Sequence, residues 1–112
     1  MASDRTVPPQ SFDAEASLLG AILIDSEAIV KVADNVKDDD FYEEKNQHIY
    51  QAIIKLYDNH TPIDVLTLSN KLKEMGFFEA IGGASYLTEL TNYVPTASNV
   101  HEYADIVAQK AL

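Results

Sequence analysis

The residues with the greatest capacity for chemistry are acids, and several of them lie between positions 34 and 44. Such a run could bind a divalent cation through its carboxylate oxygens. It lacks the central glycine and the final glutamate that an EF-hand loop places at fixed positions. We therefore interpret the run as a solvated acidic loop, which is the usual structure of a charge cluster. Its members are Asp34, Asp38, Asp39, Asp40, Glu43 and Glu44.

A second candidate for metal chemistry is the segment His101-Glu102-Tyr103-Ala104-Asp105. One helical turn would place His101 and Asp105 on the same face, as in the zinc-binding helix of a metalloprotease, with an aspartate in place of the second histidine. No third ligand stands at a helpful spacing, so we interpret the segment as an ordinary surface helix. A metal hydrolase that uses His101 and Glu102 is the less favoured hypothesis.

Motifs for nucleophilic catalysis and for nucleotide binding are absent from the sequence. There is no G-x-S-x-G, and Ser85, which follows two glycines, has no general base in a recognisable motif. Neither the phosphate-binding loop G-x-x-x-x-G-K-[ST] nor the dinucleotide fingerprint G-x-G-x-x-G occurs. We therefore predict no catalytic, cofactor-binding or metal-binding residue, and we expect this chain not to be an enzyme by itself.

Charge and composition restrict the partners. The 112 residues include eight Lys and Arg against eighteen Asp and Glu, a formal net charge of −10. The cations are scattered, whereas nucleic-acid binding usually needs a cluster of them, so tight DNA or RNA binding is not expected. Anionic membranes are disfavoured for the same reason, and basic protein surfaces are the natural complement. The absence of cysteine excludes disulfides and thiolate metal sites.

The pattern of apolar residues predicts an all-α fold. Hydrophobic residues make up 46% of the chain, which is enough for the core of a single domain. They recur at spacings of three and four, which is typical of a compact bundle of about six helices. The predicted helices are Phe12–Ile24, a short second helix that ends near Asn35, Lys45–Asn59, Asp64–Met75, Ala84–Tyr93, and a sixth that Thr96 or Ser98 caps.

The first predicted helix begins after Pro8-Pro9, because consecutive prolines favour an extended chain. Ser11 is a suitable N-cap, and Asp13 and Glu15 would then lie in the first turn, where the helix dipole favours acids. Gly20 stands inside this helix at a cost of about 1 kcal/mol relative to alanine. The glycine therefore suggests a close approach of another helix.

The segment Ile63–Leu68 fits either a strand or a helix. Its branched residues favour a strand. Asp64 can cap a helix, however, the apolar residues that follow keep helical spacing, and Gly76 stands where a helix commonly ends. We predict a helix.

Several blocks of the sequence resemble bacterial replicative DNA helicases of the DnaB type. The blocks follow the order and spacing of that family, and together they are specific although each alone is weak. They are PPQSFDAEASLLG from Pro8, DDFY from Asp39, HIY from His48, PIDVLTL from Pro62, GGASYL from Gly82 and YADIV from Tyr103.

The resemblance implies that different domains of the helicase carry different functions. In this family the N-terminal domain is a helical head followed by a helical hairpin. It forms a collar on a hexameric ring, where the C-terminal helicase-binding domain of primase docks. An ATPase motor with its ATP and magnesium follows that domain and lies outside this chain. Residues 1–10 would then be a flexible N-terminal arm, and residues 11–112 the head, truncated near the start of the hairpin.

The resemblance also sets expectations for assembly and location. Because the hairpin is the main self-association element of the collar, we expect this chain to be a monomer or a weak dimer. Initiator or loader proteins are further candidate partners. The location would be the bacterial cytoplasm, at the replication fork. The rival hypothesis is a free-standing acidic all-α adaptor protein that is unrelated to replication.

Two residues of the chain match family positions that look like part of the primase-facing surface, namely Asp13 and Tyr86. Tyr86 precedes Leu87 of an apolar stripe by one position, or about 100° around the helix. We expect its ring at the edge of the buried face and its hydroxyl toward a partner. We expect Asp13 to be exposed. The alternative is that Tyr86 is a core-edge residue and Asp13 interacts only with the helix dipole.

Overall fold

The structure, a computed structural model, describes residues 9–93 and 100–110. Helices and their connections make up this part of the chain, and no strand occurs in it. The prediction of an all-α bundle of six helices is therefore confirmed. The helices are α1 Pro9–Ile24, α2 Ala28–Val32, α3 Glu44–Asp58, α4 Val65–Met75, α5 Gly83–Thr91 and α6 Val100–Lys110, with a short 3₁₀ helix, Asp38–Asp40, before α3.

The helix α1 lies at the centre of the bundle and is buried on nearly every side. Residues 14–23 are all buried, and they cover almost three helical turns. The neighbours α2, α3, α5 and α6 all contact this helix. A helix that is apolar around most of its circumference belongs in the interior of a protein, and α2, α3, α5 and α6 pack against α1.

The start of α1 differs from the prediction. The helix begins at Pro9, so Ser11 lies inside it, and Asp13 and Glu15 lie beyond the first turn. Proline suits the first helical position because its φ angle is already helical and no intrahelical partner is needed for an N–H there. The predicted N-cap is therefore wrong, and α1 includes Pro9 and Gln10, which the prediction placed before the helix. Residues 1–8 lie outside the described residues.

At Gly20 the backbones of α1 and α5 approach each other closely. A Cβ atom built on Gly20 would overlap the carbonyl oxygen of Leu90, near the end of α5. The two backbones are thus in direct contact, and any larger side chain would separate the helices. The predicted close approach of another helix is confirmed.

The ends of α4 confirm that the ambiguous segment is a helix. The Asp64 carboxylate accepts a hydrogen bond from the Thr67 N–H at 2.8 Å, and the Thr67 hydroxyl accepts one from the Asp64 N–H at 3.0 Å. This reciprocal pair satisfies donors that the first turn leaves open. At the other end, Gly76 has a φ of 84°, the left-handed conformation in which helices commonly terminate.

The remaining helix ends differ from the predictions by a few residues. The helix α2 ends at Val32 and a turn follows, whereas the apolar pattern suggested a helix to about Asn35. The proposed caps of α6, Thr96 and Ser98, lie outside the described residues. No helix in the described ranges combines the length and the apolar character that crossing a bilayer requires.

Candidate protein-interaction site

A buried carboxylate joins α1 to the start of α3. Glu15 is 2% exposed, and its Oε2 accepts a hydrogen bond from the Tyr42 N–H at 2.6 Å. Its Oε1 accepts from the Glu43 N–H at 3.4 Å and from Asn46 Nδ2 at 2.9 Å. These donors stand at the N-terminal end of α3, where the helix dipole is positive and favours a negative charge. Glu15 therefore acts as an electrostatic cap for α3, supplied by another helix.

The same network reaches α5 through Asn46. This residue is fully buried, and the Tyr86 hydroxyl donates a hydrogen bond to its Oδ1 at 2.7 Å. Burial raises the pKa of Tyr86, so the hydroxyl stays protonated and acts as the donor. Glu15, Asn46 and Tyr86 thus join three helices through side chains 31 and 40 residues apart in sequence. We call these three residues the buried network.

The placement of Tyr86 corrects one expectation. Its hydroxyl points inward to Asn46, and the residue is only 6% exposed, so the hydroxyl does not face a partner. The reason is that α3 presents a buried amide acceptor, which periodicity within α5 cannot reveal. The ammonium of Lys45 lies 4.0 Å from the centroid of the Tyr86 ring, in a cation–π contact. Lys45 is half-exposed, so it lies between this ring and the solvent.

Asp13 is exposed, as predicted, but it lies apart from the buried network. It precedes Glu15 by two positions, so its side chain leaves α1 about 200° away from that of Glu15. It also precedes Gly20 by seven positions, which places it on the side of α1 that α5 contacts two turns later. The Asp13 side chain forms no hydrogen bond or ion pair within the described ranges. The structure therefore shows no contact between Asp13 and Tyr86.

Burial of Glu15 disfavours the ionised form of its carboxyl group. Burial raises the pKa of this carboxyl above its ordinary value of 4.5, and the nearby Glu43 charge acts in the same direction. The hydrogen bonds from Asn46, Tyr42 and Glu43 lower the pKa without reversing the shift. The folded state therefore holds a proton on Glu15 to a higher pH than the unfolded state does.

This shift predicts a pH dependence that Glu15→Gln removes. The folded-state pKa is raised, so the part of the Glu15 contribution that depends on its bound proton is fully present below about pH 4.5 and declines as pH rises through the folded-state value. We expect the unfolding free energy of the unsubstituted chain, minus that of Glu15→Gln, to fall over this interval. Urea unfolding at a series of pH values measures this difference in unfolding free energy. Groups that titrate alike in both proteins contribute equally to each value, so their effects cancel. A difference that is flat or rises with pH would contradict the shift.

The acidic run and the other candidate groups form no described metal centre. Asp40 accepts a hydrogen bond from the Lys37 N–H at 2.9 Å, and Asp38 accepts one from Gln51 at 2.6 Å. No group of three or more His, Asp and Glu side chains suited to a metal ion occurs within residues 9–93 and 100–110. The side chain of His101 lies outside the described residues. Ser85 is exposed near the start of α5.

The buried network contains two residues whose roles the sequence analysis missed. Asn46 occupies the position three residues before Ile49 and seven before Ile53, in line with the buried stripe of α3. Glu15 similarly precedes Leu18 and Leu19 by three and four positions. A polar residue in an apolar stripe is the signal that could have identified both, because a buried polar group needs a partner.

Six helices, with α1 buried at their centre, form a small all-α domain in the part of the chain that the structure describes. Its family is established by sequence comparison: the sequence model of the DnaB-like helicase N terminal domain matches residues 7–109, and the chain belongs to this family. The resemblance drawn from the sequence blocks is therefore confirmed.

Three curated relatives illustrate the match. The chain is 43% identical over 110 residues to the replicative DNA helicase DnaB of Leifsonia xyli, which covers 98% of this chain and 24% of that protein. It is 40% identical over 110 residues to the replicative DNA helicase DnaC of Bacillus subtilis, with the same coverage. It is 44% identical over 105 residues to DnaB of Mycobacterium leprae, covering 94% of this chain and 17% of that protein. The chain spans about a quarter or less of the length of these relatives.

A solved structure has the same fold. The crystal structure of the N-terminal domain of DnaB helicase from Mycobacterium tuberculosis matches with a TM-score of 0.88 at 43% sequence identity. The match covers 94% of this chain and 73% of that one. The helical arrangement described above is therefore that of the family.

Proposed function

We propose that the chain works by protein contact as the N-terminal domain of a bacterial replicative DNA helicase. The observation that carries this proposal is the family match over residues 7–109. In the longer protein the domain forms part of the collar of a hexameric ring. ATP and magnesium serve the motor that follows it, and the protein acts in the cytoplasm at the replication fork. The free-standing adaptor is not favoured, because relatives that cover 98% of the chain are replicative helicases.

The partner in this proposal is the C-terminal helicase-binding domain of primase, with initiator or loader proteins as further candidates. The net charge of −10 favours a partner that presents a basic surface. Asp13 supplies an exposed negative charge without a described partner of its own. Tyr86 supplies the edge of a ring whose hydroxyl is anchored in the core, with Lys45 above it. A partner that meets both residues contacts the start of α1 at Asp13 and α5 at Tyr86.

Asp13→Ala tests the docking part of this proposal. We expect binding to the primase domain of the same organism to weaken about fivefold, or about 1 kcal/mol, because one exposed interfacial charge is lost. Isothermal titration calorimetry at physiological salt measures the affinity. The loss should shrink at higher salt, since exposed charges are screened.

The matched control is Asp58→Ala. Asp58 is an exposed acid at the C-terminal end of α3, about 20 Å along that helix from Asn46 and the buried network. We expect this variant to bind primase as the unsubstituted chain does. Equal affinities for both variants, with unchanged helical circular dichroism, would remove Asp13 from the docking surface.

A further inference from the structure

Asn46 uses both ends of its amide, and its orientation is fixed by its two neighbours. Its Nδ2 donates to Glu15 Oε1 at 2.9 Å, and its Oδ1 accepts from the Tyr86 hydroxyl at 2.7 Å. An ionised carboxylate only accepts hydrogen bonds, so a flipped amide would set two acceptor oxygens against each other. Asn46 therefore presents its oxygen to Tyr86 and holds the hydroxyl in one direction.

The orientation of Tyr86 in turn sets the surface beside it. Lys45 precedes Asn46 on α3, and its ammonium lies over the Tyr86 ring, 4.0 Å from the centroid. The bond to Asn46 fixes the position of the hydroxyl at the far end of the ring, and this limits how far the ring can swing away from Lys45. A molecule that approaches here meets Lys45 and the edge of the ring, because the hydroxyl and the amide are buried.

We propose that Asn46 is a positioning residue for partner docking, which holds Tyr86 and Lys45 in the arrangement that the primase domain meets. This inference rests on the proposed function above. Side chains that are already ordered in the free protein lose little conformational entropy when a partner binds. The affinity is higher because this entropic cost is small. Removing the anchor should therefore weaken binding although Asn46 itself cannot touch the partner.

The positioning itself is tested by nuclear magnetic resonance, without any partner. The ammonium of Lys45 lies over the face of the Tyr86 ring, so we expect the ring current to move the resonance of the adjacent ε-methylene protons upfield. Tyr86→Phe keeps the ring and removes only the hydroxyl, and Asn46→Leu removes the acceptor. We expect both variants to move the Lys45 resonance toward its unstructured position.

The matched control is Tyr50→Phe. Tyr50 is also buried, and its hydroxyl donates a hydrogen bond to the Val36 carbonyl at 2.8 Å, so the same chemical change occurs outside the buried network. We expect the Lys45 resonance to be unchanged in this variant. A Lys45 resonance that stays in place in Tyr86→Phe would overturn the positioning role, and that variant decides the question if Asn46→Leu fails to fold.

The consequence for docking is tested by calorimetric titration with the C-terminal helicase-binding domain of primase, at a temperature where each variant is folded. We expect Tyr86→Phe and Asn46→Leu to weaken binding about three- to tenfold, and Tyr50→Phe to have no effect. Unchanged affinity in Tyr86→Phe, beside a displaced Lys45 resonance, would overturn the inference while the proposed function stands. Failure of the unsubstituted chain to bind primase would instead overturn the proposed docking, whatever the resonance shows.

Discussion

Replacing Glu15 with alanine should lower the free energy of unfolding by about 3–4 kcal/mol. The change leaves the N–H of Tyr42 and the Nδ2 of Asn46 without their acceptor beside a buried space. Urea unfolding followed by circular dichroism at pH 7 measures the loss.

The control for this substitution is Glu89→Ala. Glu89 is an exposed glutamate on α5, so the same atoms are deleted where water can satisfy every neighbour. We expect its effect to stay within about 0.5 kcal/mol. A loss below about 1 kcal/mol for Glu15→Ala would mean that water replaces the carboxylate in the folded state, and that the buried network contributes little to stability.

Gly20→Ala should destabilise the protein by about 2–3 kcal/mol, against the usual preference of helices for alanine. In an exposed helix the same change would stabilise by about 1 kcal/mol. Here the new Cβ atom would overlap the Leu90 carbonyl oxygen, so α1 and α5 must separate and lose contacts along their interface. Thermal and urea unfolding both measure the loss.

Gly76→Ala separates this packing effect from backbone strain. Gly76 has a φ of 84°, but a Cβ atom built there has no atom within 4 Å. We expect a loss of about 1 kcal/mol, which comes from the left-handed backbone alone. If Gly20→Ala proved more stable than the unsubstituted chain, the close approach of the two helices would be refuted.

The sequence predicted those features whose causes lie within one helix. Asp64 and Gly76 bracket α4 at the two positions where helix ends have chemical preferences, and both residues are local signals. These signals decided correctly between a strand and a helix for the branched segment. Gly20 was interpretable for a related reason, because a glycine inside a helix needs a compensating contact.

Glu15 shows where such local reasoning stops. The prediction placed this acid near a positive helix end, which is correct, but chose the N-terminus of its own helix. The structure places it at the N-terminus of α3, whose first residue is 29 positions later in the sequence. Tyr86 shows the same limit, because its hydroxyl is directed by an amide 40 residues away. Partners at such separations are set by tertiary packing, which periodicity does not contain.

The burial of α1 on all sides has a consequence for how the fold selects a single arrangement. A helix that is apolar around its circumference gains nearly the same free energy from burial at several rotations and axial offsets. Hydrophobicity alone would therefore allow the central helix to turn or slide among its neighbours. A shift by one residue would move Glu15 by about 1.5 Å and rotate it by about 100°. Such a shift would separate the Glu15 carboxylate from all three of its hydrogen-bond donors. It would also replace Gly20 beside Leu90 with a residue whose side chain does not fit there. Glu15 and Gly20 together therefore select a single register for α1.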